Sequence, residues 1–219
     1  MSDDSLLAQP GAPAQPAAPA HPAAPAHPAG SSLRQVIETL LAGKPALFPT
    51  DTVYGLGVAV FAAKTPQALY AIKHRDLEKA IPLLVSSPQD LDTYGTHIPE
   101  YAYDLAQQYW PGALTLIVPA SAALPEAYCG PEHTVALRMP GDPVALEILR
   151  GVGGPVATSS ANLQGMQPPR SFDQVDPRVL AAVSAYCYDE APRSGVSSTI
   201  VDCTGGAPRV LRQGSVRVD

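Results

Sequence analysis

The chain has 219 residues, of which 46% are hydrophobic and only 16% charged, so it is long and apolar enough to bury a sizeable core. Its formal net charge of −6 argues against a protein coated in nucleic acid, which normally carries a basic excess. Three widely spaced cysteines (Cys129, Cys187 and Cys203) form no CxxC or Cys/His ligand pattern, which favours buried thiols in a reducing compartment. No apolar run is long enough to cross a bilayer and the N-terminus lacks the apolar segment of a secretory signal, so we expect a cytoplasmic protein without membrane contact.

The first 30 residues differ in composition from the rest of the chain. Prolines recur at every third position from Pro10 to Pro28, and Ala-Pro-Ala-His-Pro-Ala occurs twice in tandem. Such a repeat favours an extended polyproline II strand that cannot bury a core. The sequence therefore predicts two regions, a disordered Pro/Ala-rich tail over 1–30 and a folded catalytic domain over 31–219.

Beyond the tail, apolar residues alternate between helical and strand patterns. Ser31 and Ser32 precede a helical repeat that ends at Gly43, which predicts the first helix. Further helices are predicted over 65–73, 99–110, 143–149 and 179–186, and strands over 46–48, 53–58, 81–85, 114–118, 134–138, 155–158, 199–201 and 210–211. This alternation indicates an α/β domain, and the short strands near the C-terminal end indicate a mixed sheet.

The segment Pro49–Leu56 places polar side chains directly after a short apolar run. The hydroxyls of Thr50, Thr52 and Tyr54 surround Asp51, and the following Gly55 lets a ligand approach the backbone. Threonine is also an ordinary strand residue, and aspartate an ordinary turn residue. We interpret the segment as a ligand contact because two further segments suit the same ligand.

Lys73 and Arg75 stand one residue apart where a predicted helix ends. A lysine point charge and a forked arginine donor suit a polyanion, although such a pair also complements a helix dipole.

Residues 158–162 read Thr-Ser-Ser-Ala-Asn, a polar run that suits a phosphate or carboxylate but also an ordinary helix cap. Taken together, the three segments predict a nucleotide-phosphate pocket.

Several common catalytic motifs are missing from the sequence. It contains no Walker A loop, no GxGxxG, no HExxH and no GxSxG nucleophile elbow. Nothing in it points to a covalent intermediate. The expected chemistry is therefore positioning and charge stabilisation, as in attack on a phosphoryl group.

Seven segments, in order along the chain, resemble the motifs of one enzyme family. They are Phe48–Leu56, Lys73–Arg75, Trp110–Thr115, Leu137–Pro140, Ala157–Asn162 with Gly165, Ser198–Asp202 and Leu211–Gly214. Over about residues 33–215 the chain is similar to the YrdC-like (TsaC-type) L-threonylcarbamoyladenylate synthases. The sequence ends soon after Arg212, in the last of these motifs. We therefore expect the short, single-domain bacterial type, without the extra C-terminal domain of longer relatives.

This resemblance implies a fold and a reaction. The fold would be α/β, a twisted mixed β-sheet with flanking helices around a deep basic cavity. The enzyme, a nucleotidyltransferase, would convert L-threonine, bicarbonate or CO2, and ATP into threonylcarbamoyl-AMP and pyrophosphate, for the t6A modification of adenosine-37 in tRNA. We expect the product to pass to separate tRNA threonylcarbamoyl-transfer proteins, with at most a weak contact to tRNA or double-stranded RNA.

The resemblance also implies roles for individual residues. Lys73 and Arg75 would be the catalytic cations that hold the phosphates. The implied ATP-binding residues are Lys73, Arg75, Thr134, Ser160, Asn162 and Arg212, and the implied L-threonine-binding residues are Thr50, Thr52, Tyr54, Arg138, Thr158 and Ser198. Mg2+ would accompany ATP; its protein ligands are unknown, and Asp51 is a candidate by charge alone.

Two other functions remain open at this stage. One is a non-catalytic protein that binds tRNA or double-stranded RNA, although the acidic net charge and the lack of interleaved aromatic and basic residues weigh against it. The other is a paralogous enzyme that uses the same pocket to make a different acyl or carbamoyl adenylate. A requirement for threonine in pyrophosphate release distinguishes the synthase from both.

Overall fold

The computed structural model describes residues 30–73 and 81–218, and these ranges hold seven α-helices and nine β-strands. The tail predicted over 1–30 lies outside the described residues except for Gly30. Arg75 also lies outside the described residues. None of the described helices combines the length and the hydrophobicity that crossing a lipid bilayer requires.

Side-chain caps stand at the start of three of the seven described α-helices. They are α1 (Leu33–Leu41), α2 (Val60–Ala63), α3 (Gln67–Lys73), α4 (Asp90–Tyr94), α5 (Glu100–Tyr109), α6 (Pro143–Val152) and α7 (Pro177–Ala182). At the start of α1, the Ser32 hydroxyl accepts a hydrogen bond from the Gln35 N–H while the Gln35 side chain accepts one from the Ser32 N–H. This reciprocal capping box confirms the predicted first helix.

All nine strands belong to one sheet. They are β1 (Ala46–Phe48), β2 (Gly55–Ala59), β3 (Leu83–Leu84), β4 (Leu114–Pro119), β5 (Thr134–Arg138), β6 (Val156–Ser160), β7 (Ala185–Tyr186), β8 (Thr199–Asp202) and β9 (Arg209–Arg212). Their order across the sheet is β7-β1-β2-β6-β3-β5-β4-β8-β9. The pairs β1–β7, β3–β5 and β4–β8 are parallel and the other five are antiparallel, which confirms a mixed sheet.

The core lies between the sheet and the helices. Val36 and Leu40 of α1 and Ile148 and Leu149 of α6 are fully buried. The two helices approach closely at Gly151, where an added Cβ would lie 2.5 Å from Cδ1 of Ile37. The two helices thus pack against each other, and α1 also packs against β1, β2 and β7.

The predicted helix over 179–186 is wrong in its second half. α7 ends at Ala182, and Ala185 and Tyr186 form β7, which pairs in parallel with β1. The backbone N–H groups of Ser184 and Cys187 donate to the carbonyl oxygens of Pro45 and Leu47, 3.1 and 2.9 Å away. The edge of β1 therefore offers hydrogen bonds that outweigh the local helical preference.

Candidate active site

A cavity of about 230 Å³ lies against one face of the sheet. Seven strands that are consecutive in the sheet, from β2 across to β9, each contribute a lining residue. With about 4.8 Å between strands, seven flat strands would span about 29 Å. Because one small cavity touches all of them, the sheet must curl around it, as the sequence resemblance implies.

Hydroxyl groups and two guanidinium groups dominate the cavity wall. The polar lining residues are Thr50, Thr52, Thr115, Thr158, Ser159, Ser160, Ser197, Ser198, Arg138 and Arg212. Val53, Pro82, Leu84 and Ile200 supply the apolar part, with Gly55 between them. No carboxylate lines the cavity within the described ranges 30–73 and 81–218, so the wall is suited to an anionic ligand.

The Arg138 guanidinium is held in one orientation by three partners. Its Nε donates to the Gly112 carbonyl oxygen at 3.0 Å, its Nη1 to Thr52 Oγ1 at 3.1 Å, and its Nη2 to Asp51 Oδ1 at 2.6 Å. The same carboxylate oxygen accepts a hydrogen bond from the Gly141 N–H at 3.1 Å. Burial lowers the pKa of Arg138, and the Asp51 carboxylate opposes that shift. The charge is thus fixed in position before any ligand arrives.

Arg212 supplies a second positive charge. Its Nε and Nη2 donate to the Ser198 carbonyl oxygen at 3.1 and 2.9 Å, and Nη2 also donates to Ser198 Oγ at 3.2 Å. Burial lowers the pKa of Arg212, and the positive charge of Arg138 makes a smaller contribution in the same direction. The two guanidinium groups are therefore close enough to repel each other, and an anion bound beside them would relieve that repulsion.

The Thr50 hydroxyl shapes the turn between β1 and β2. Thr50 Oγ1 donates to the Val53 carbonyl oxygen at 2.6 Å and lies 3.0 Å from Thr52 Oγ1. Gly55, at the start of β2, also lines the cavity, and an added Cβ there would lie 2.8 Å from Cγ2 of Thr158. A side chain at that position would push Thr158 aside and distort the wall.

Two residues with predicted ligand contacts do not lie at the cavity. The Tyr54 hydroxyl donates to the Asp189 carbonyl oxygen at 2.8 Å and accepts from the Asp189 N–H at 3.1 Å, and its ring packs edge-on against Phe172. Val53 is part of the cavity wall, whereas Tyr54 is not. Thr134 begins β5 whereas Arg138 ends it, which separates their Cα atoms by about 13 Å at about 3.3 Å per residue. Neither residue lines the described cavity wall, and the ligand contacts of both stay predictions.

Lys73 and Asn162 brace the loop that follows β6. The Lys73 ammonium donates to the carbonyl oxygens of Ser160 and Asn162, the latter at 2.7 Å, and to Asn162 Oδ1 at 3.3 Å. The Asn162 amide donates to the carbonyl oxygens of Leu163 and Met166 at 3.0 and 2.7 Å. Neither side chain is part of the described cavity wall, although Ser160 is. The phosphate contact of Arg75 stays a prediction, since that residue is not described.

Three polar residues of the cavity wall had no ligand contact assigned from the sequence: Thr115, Ser159 and Ser197. Thr115 belongs to the segment Trp110–Thr115, one of the seven that resemble the family motifs, but no role was assigned to it. Its Oγ1 lies 2.8 Å from Ser198 Oγ at the cavity. The alternation of β4 was the available signal, because its apolar residues Leu114 and Leu116 flank a single buried hydroxyl.

The Asp51 carboxylate forms an ion pair with Arg138. Its Oδ1 accepts hydrogen bonds from Arg138 and from the Gly141 N–H, and Asp51 itself does not line the cavity. Mg2+ prefers carboxylates together with substrate phosphates. A contact between Asp51 and Mg2+ stays a prediction.

Comparison with known proteins gives consistent matches over most of the chain. The family model for Sua5, YciO and YrdC proteins, described as telomere recombination, matches residues 38–214. A Mycobacterium tuberculosis relative is 38% identical over 183 residues, which cover 84% of each chain. The threonylcarbamoyl-AMP synthase of Bacillus subtilis is 35% identical over 84% of this chain and 54% of its own. The crystal structure of Pyrococcus abyssi Sua5 with L-threonine matches with a TM-score of 0.79 at 33% identity, over 83% of this chain and 54% of that one. This chain thus spans about half the length of the last two proteins.

Proposed function

We propose that this chain, which belongs to the Sua5/YciO/YrdC family, is a threonylcarbamoyl-AMP synthase. It would convert L-threonine, bicarbonate or CO2, and ATP into threonylcarbamoyl-AMP and pyrophosphate. The observation that carries the proposal is the single cavity in which Arg138 and Arg212 stand among hydroxyl groups. The names of the curated relatives and the L-threonine complex of the Pyrococcus protein support it.

The electrostatics of the cavity suit this reaction. The carbamate formed on the threonine amine must attack the α-phosphorus of ATP, so two anions have to meet. Asp51 offsets the charge of Arg138, and no carboxylate pairs with Arg212 within the part of the chain that the structure describes. The remaining positive charge would lower the repulsion between the reactants, and the fixed donors would need little rearrangement during the reaction.

We assign the end of the cavity around Arg138 to threonine. Thr50, Thr52, Thr158 and Ser198 line the cavity with Arg138, whose forked donors match a carboxylate. A volume of about 230 Å³ lies below the roughly 300–1,000 Å³ of pockets for drug-sized ligands. It is therefore suited to an amino acid, while most of the triphosphate would extend beyond it.

We assign the nucleotide to Ser160 and Arg212 in the cavity, and to Lys73, Arg75 and Asn162 beside it. For Lys73 to bind a phosphate, its ammonium would have to give up at least one of its loop contacts. ATP would bring Mg2+ on its own phosphates, where the ion neutralises part of their charge.

The test is pyrophosphate release from ATP by the full chain, with threonine and bicarbonate omitted in turn. We expect release only with both substrates present. Arg212→Ala should lower kcat/KM by about 100-fold or more, a loss typical of removing one charge-stabilising donor. The matched control is Arg178→Ala, because Arg178 is an exposed arginine that pairs with Asp176 away from the cavity.

Two outcomes would favour the alternatives. Pyrophosphate release that does not need threonine would indicate a different acyl or carbamoyl adenylate. Salt-dependent binding of tRNA or double-stranded RNA without ATP turnover would indicate a binding protein.

The proposal extends to the partners and location of the protein. Threonylcarbamoyl-AMP is a reactive mixed anhydride, so a following group-transfer step must consume it, and we assign that step to separate tRNA threonylcarbamoyl-transfer proteins. Direct contact with tRNA would be weak, given the acidic chain. A cytoplasmic location follows because the tRNA substrate of such a pathway is there.

A further inference from the structure

We infer that the loop between β4 and β5 carries a zinc site formed by Glu126, Cys129 and His133. One ligand atom from each residue (a carboxylate oxygen, the Sγ atom and an imidazole nitrogen) lies within 4.8 Å of the other two. His133 Nδ1 is already 3.0 Å from Glu126 Oε2. Cys129 is half-buried, and the other two residues are exposed at the edge of the cluster.

These three donor types are the ones that Zn2+ takes in proteins. Bonds of about 2.0–2.3 Å in tetrahedral geometry place neighbouring donor atoms roughly 3.3–3.6 Å apart. The donor atoms of the cluster, within 4.8 Å of one another, would have to approach by about 1 Å to reach that geometry. Three protein ligands leave the fourth position for water.

The backbone of the loop turns the three side chains toward one another. A short 3-10 turn over Glu126–Tyr128 precedes Cys129, and a second turn over Pro131–His133 follows. Glu132 and His133 have φ angles of 55° and 53°, in the left-handed region that costs a non-glycine residue about 1–2 kcal/mol. A metal bond to the His133 imidazole would offset part of that cost.

The cluster is separate from the proposed active site. His133 precedes Thr134 at the start of β5, whereas Arg138 at the other end of that strand lines the cavity, about 13 Å away. Burial, followed by the Glu126 charge, raises the pKa of the Cys129 thiol, so zinc must displace a proton and its affinity should rise with pH. The inference does not depend on the proposed function.

The experiment uses the full chain with His21→Ala and His27→Ala, so that the tail imidazoles do not compete for metal. Co2+, added as a spectroscopic probe, should bind at one equivalent with a thiolate charge-transfer band and intense tetrahedral d–d bands, and Zn2+ should displace it. Cys129→Ser and His133→Ala should each weaken Zn2+ binding at least about tenfold, since loss of even an outer-shell partner costs about 10–100-fold. His97→Ala is the matched control, because His97 also has a positive φ (48°) but lies outside the cluster.

Thermal unfolding provides a second readout. Zn2+ should raise the unfolding midpoint of the parent chain by clearly more than that of Cys129→Ser at the same Zn2+ concentration. Binding without a thiolate band, or Zn2+ affinity that survives Cys129→Ser, would overturn the inference. Pyrophosphate release is scored separately, so failure of the zinc site is distinguishable from failure of the synthase proposal.

Discussion

The ammonium group of Lys73 has a structural role in the loop that follows β6. Lys73 is 4% exposed and donates to backbone oxygens of Ser160 and Asn162. From sequence alone, Lys73→Ala is expected to abolish activity and leave the fold intact. The buried contacts change that expectation, because the substitution removes the donor from two carbonyl groups at once.

We predict that Lys73→Ala lowers the free energy of unfolding by roughly 1–3 kcal/mol, the typical cost of leaving a buried polar group without its partner. Urea unfolding measures the change. Lys44→Ala, at an exposed lysine, should shift the same quantity by less than about 0.5 kcal/mol. Equal stability of the two variants would show that Lys73 does not brace the loop.

The repulsion between Arg138 and Arg212 predicts that anions stabilise the protein. Pyrophosphate, the proposed product, should raise the thermal unfolding midpoint, because at 100 times its Kd a ligand adds about 2.7 kcal/mol to the free energy of unfolding. Arg212→Ala should remove most of this stabilisation, whereas the exposed Arg178→Ala should retain it. If pyrophosphate stabilises Arg212→Ala as strongly as the parent, Arg212 does not contact the anion.

Motif matching found many of the side chains around the cavity but not which way each one points. Thr50, Thr52 and Arg138 lie at the cavity as expected, whereas Tyr54 faces the opposite side of the chain. Tyr54 precedes β2, which begins at Gly55 instead of at the predicted residue 53, so the alternation of a strand does not fix the direction of its side chain. A shift of two residues at a strand end is within the usual error of a sequence pattern.

The segment between β7 and β8 is held to the domain by a buried ion cluster. Arg193 Nη1 lies 2.6 Å from Asp142 Oδ2, and its Nη2 pairs with the Asp189 carboxylate. Asp142 also caps α6 through the Ala145 N–H. One arginine therefore connects a helix start to the segment that delivers Ser198 to the cavity.

We predict that Arg193→Met lowers the free energy of unfolding by about 3–5 kcal/mol, the usual result of leaving a buried charge without its partner. Urea unfolding is the measurement. Arg178→Met is the matched control, since Arg178 pairs with Asp176 at the surface and such pairs contribute about 0–1 kcal/mol. Similar losses in the two variants would contradict a special role for the buried cluster.

At the level of elements, local patterns gave most strands and missed those that depend on distant partners. The predicted bounds of β1 and β5 match the structure. β7 has only two residues, and it is a strand because β1 offers it an edge. The short α4, over Asp90–Tyr94, was also missed, because five residues carry too little helical periodicity.

For the whole molecule, the carboxyl groups predict a loss of stability in acid. Burial alone would raise the pKa of Asp189 and of Asp202. Hydrogen bonds from Ala191 and Arg193 to Asp189, and from Thr204 to Asp202, outweigh this effect. Both pKa values therefore lie below 3.8. Between those values and 3.8 the native state binds fewer protons than the unfolded state, so stability rises with pH. It is lost as the pH falls through that window.

Urea unfolding between pH 5 and pH 2 tests this prediction. The free energy of unfolding should decrease below a pH of about 4, and Asp189→Asn should make the decrease smaller. Asp142 acts in the opposite direction, because burial raises its pKa, and so it reduces the total effect. A free energy of unfolding that stays constant down to pH 2 would show that these carboxyl groups do not gain their native contacts.

The overall architecture was accessible from the sequence only in part. Alternating helices and strands predicted an α/β domain with a mixed sheet, and the structure confirms both. The strand order was not accessible, because pairs such as β2–β6 and β4–β8 join segments that are far apart in sequence. Side-chain periodicity records which face a strand buries, and it carries no information about the neighbouring strand.

The last strand has a consequence for the biogenesis of the protein. β9 is an exposed edge strand, yet it contributes Arg212 to the cavity wall. During translation the earlier strands leave the ribosome first and can begin to pack before this arginine emerges. The nascent polypeptide should therefore acquire its full affinity for a triphosphate only once β9 has emerged and paired with β8, and a chain truncated after β8 should bind a triphosphate more weakly.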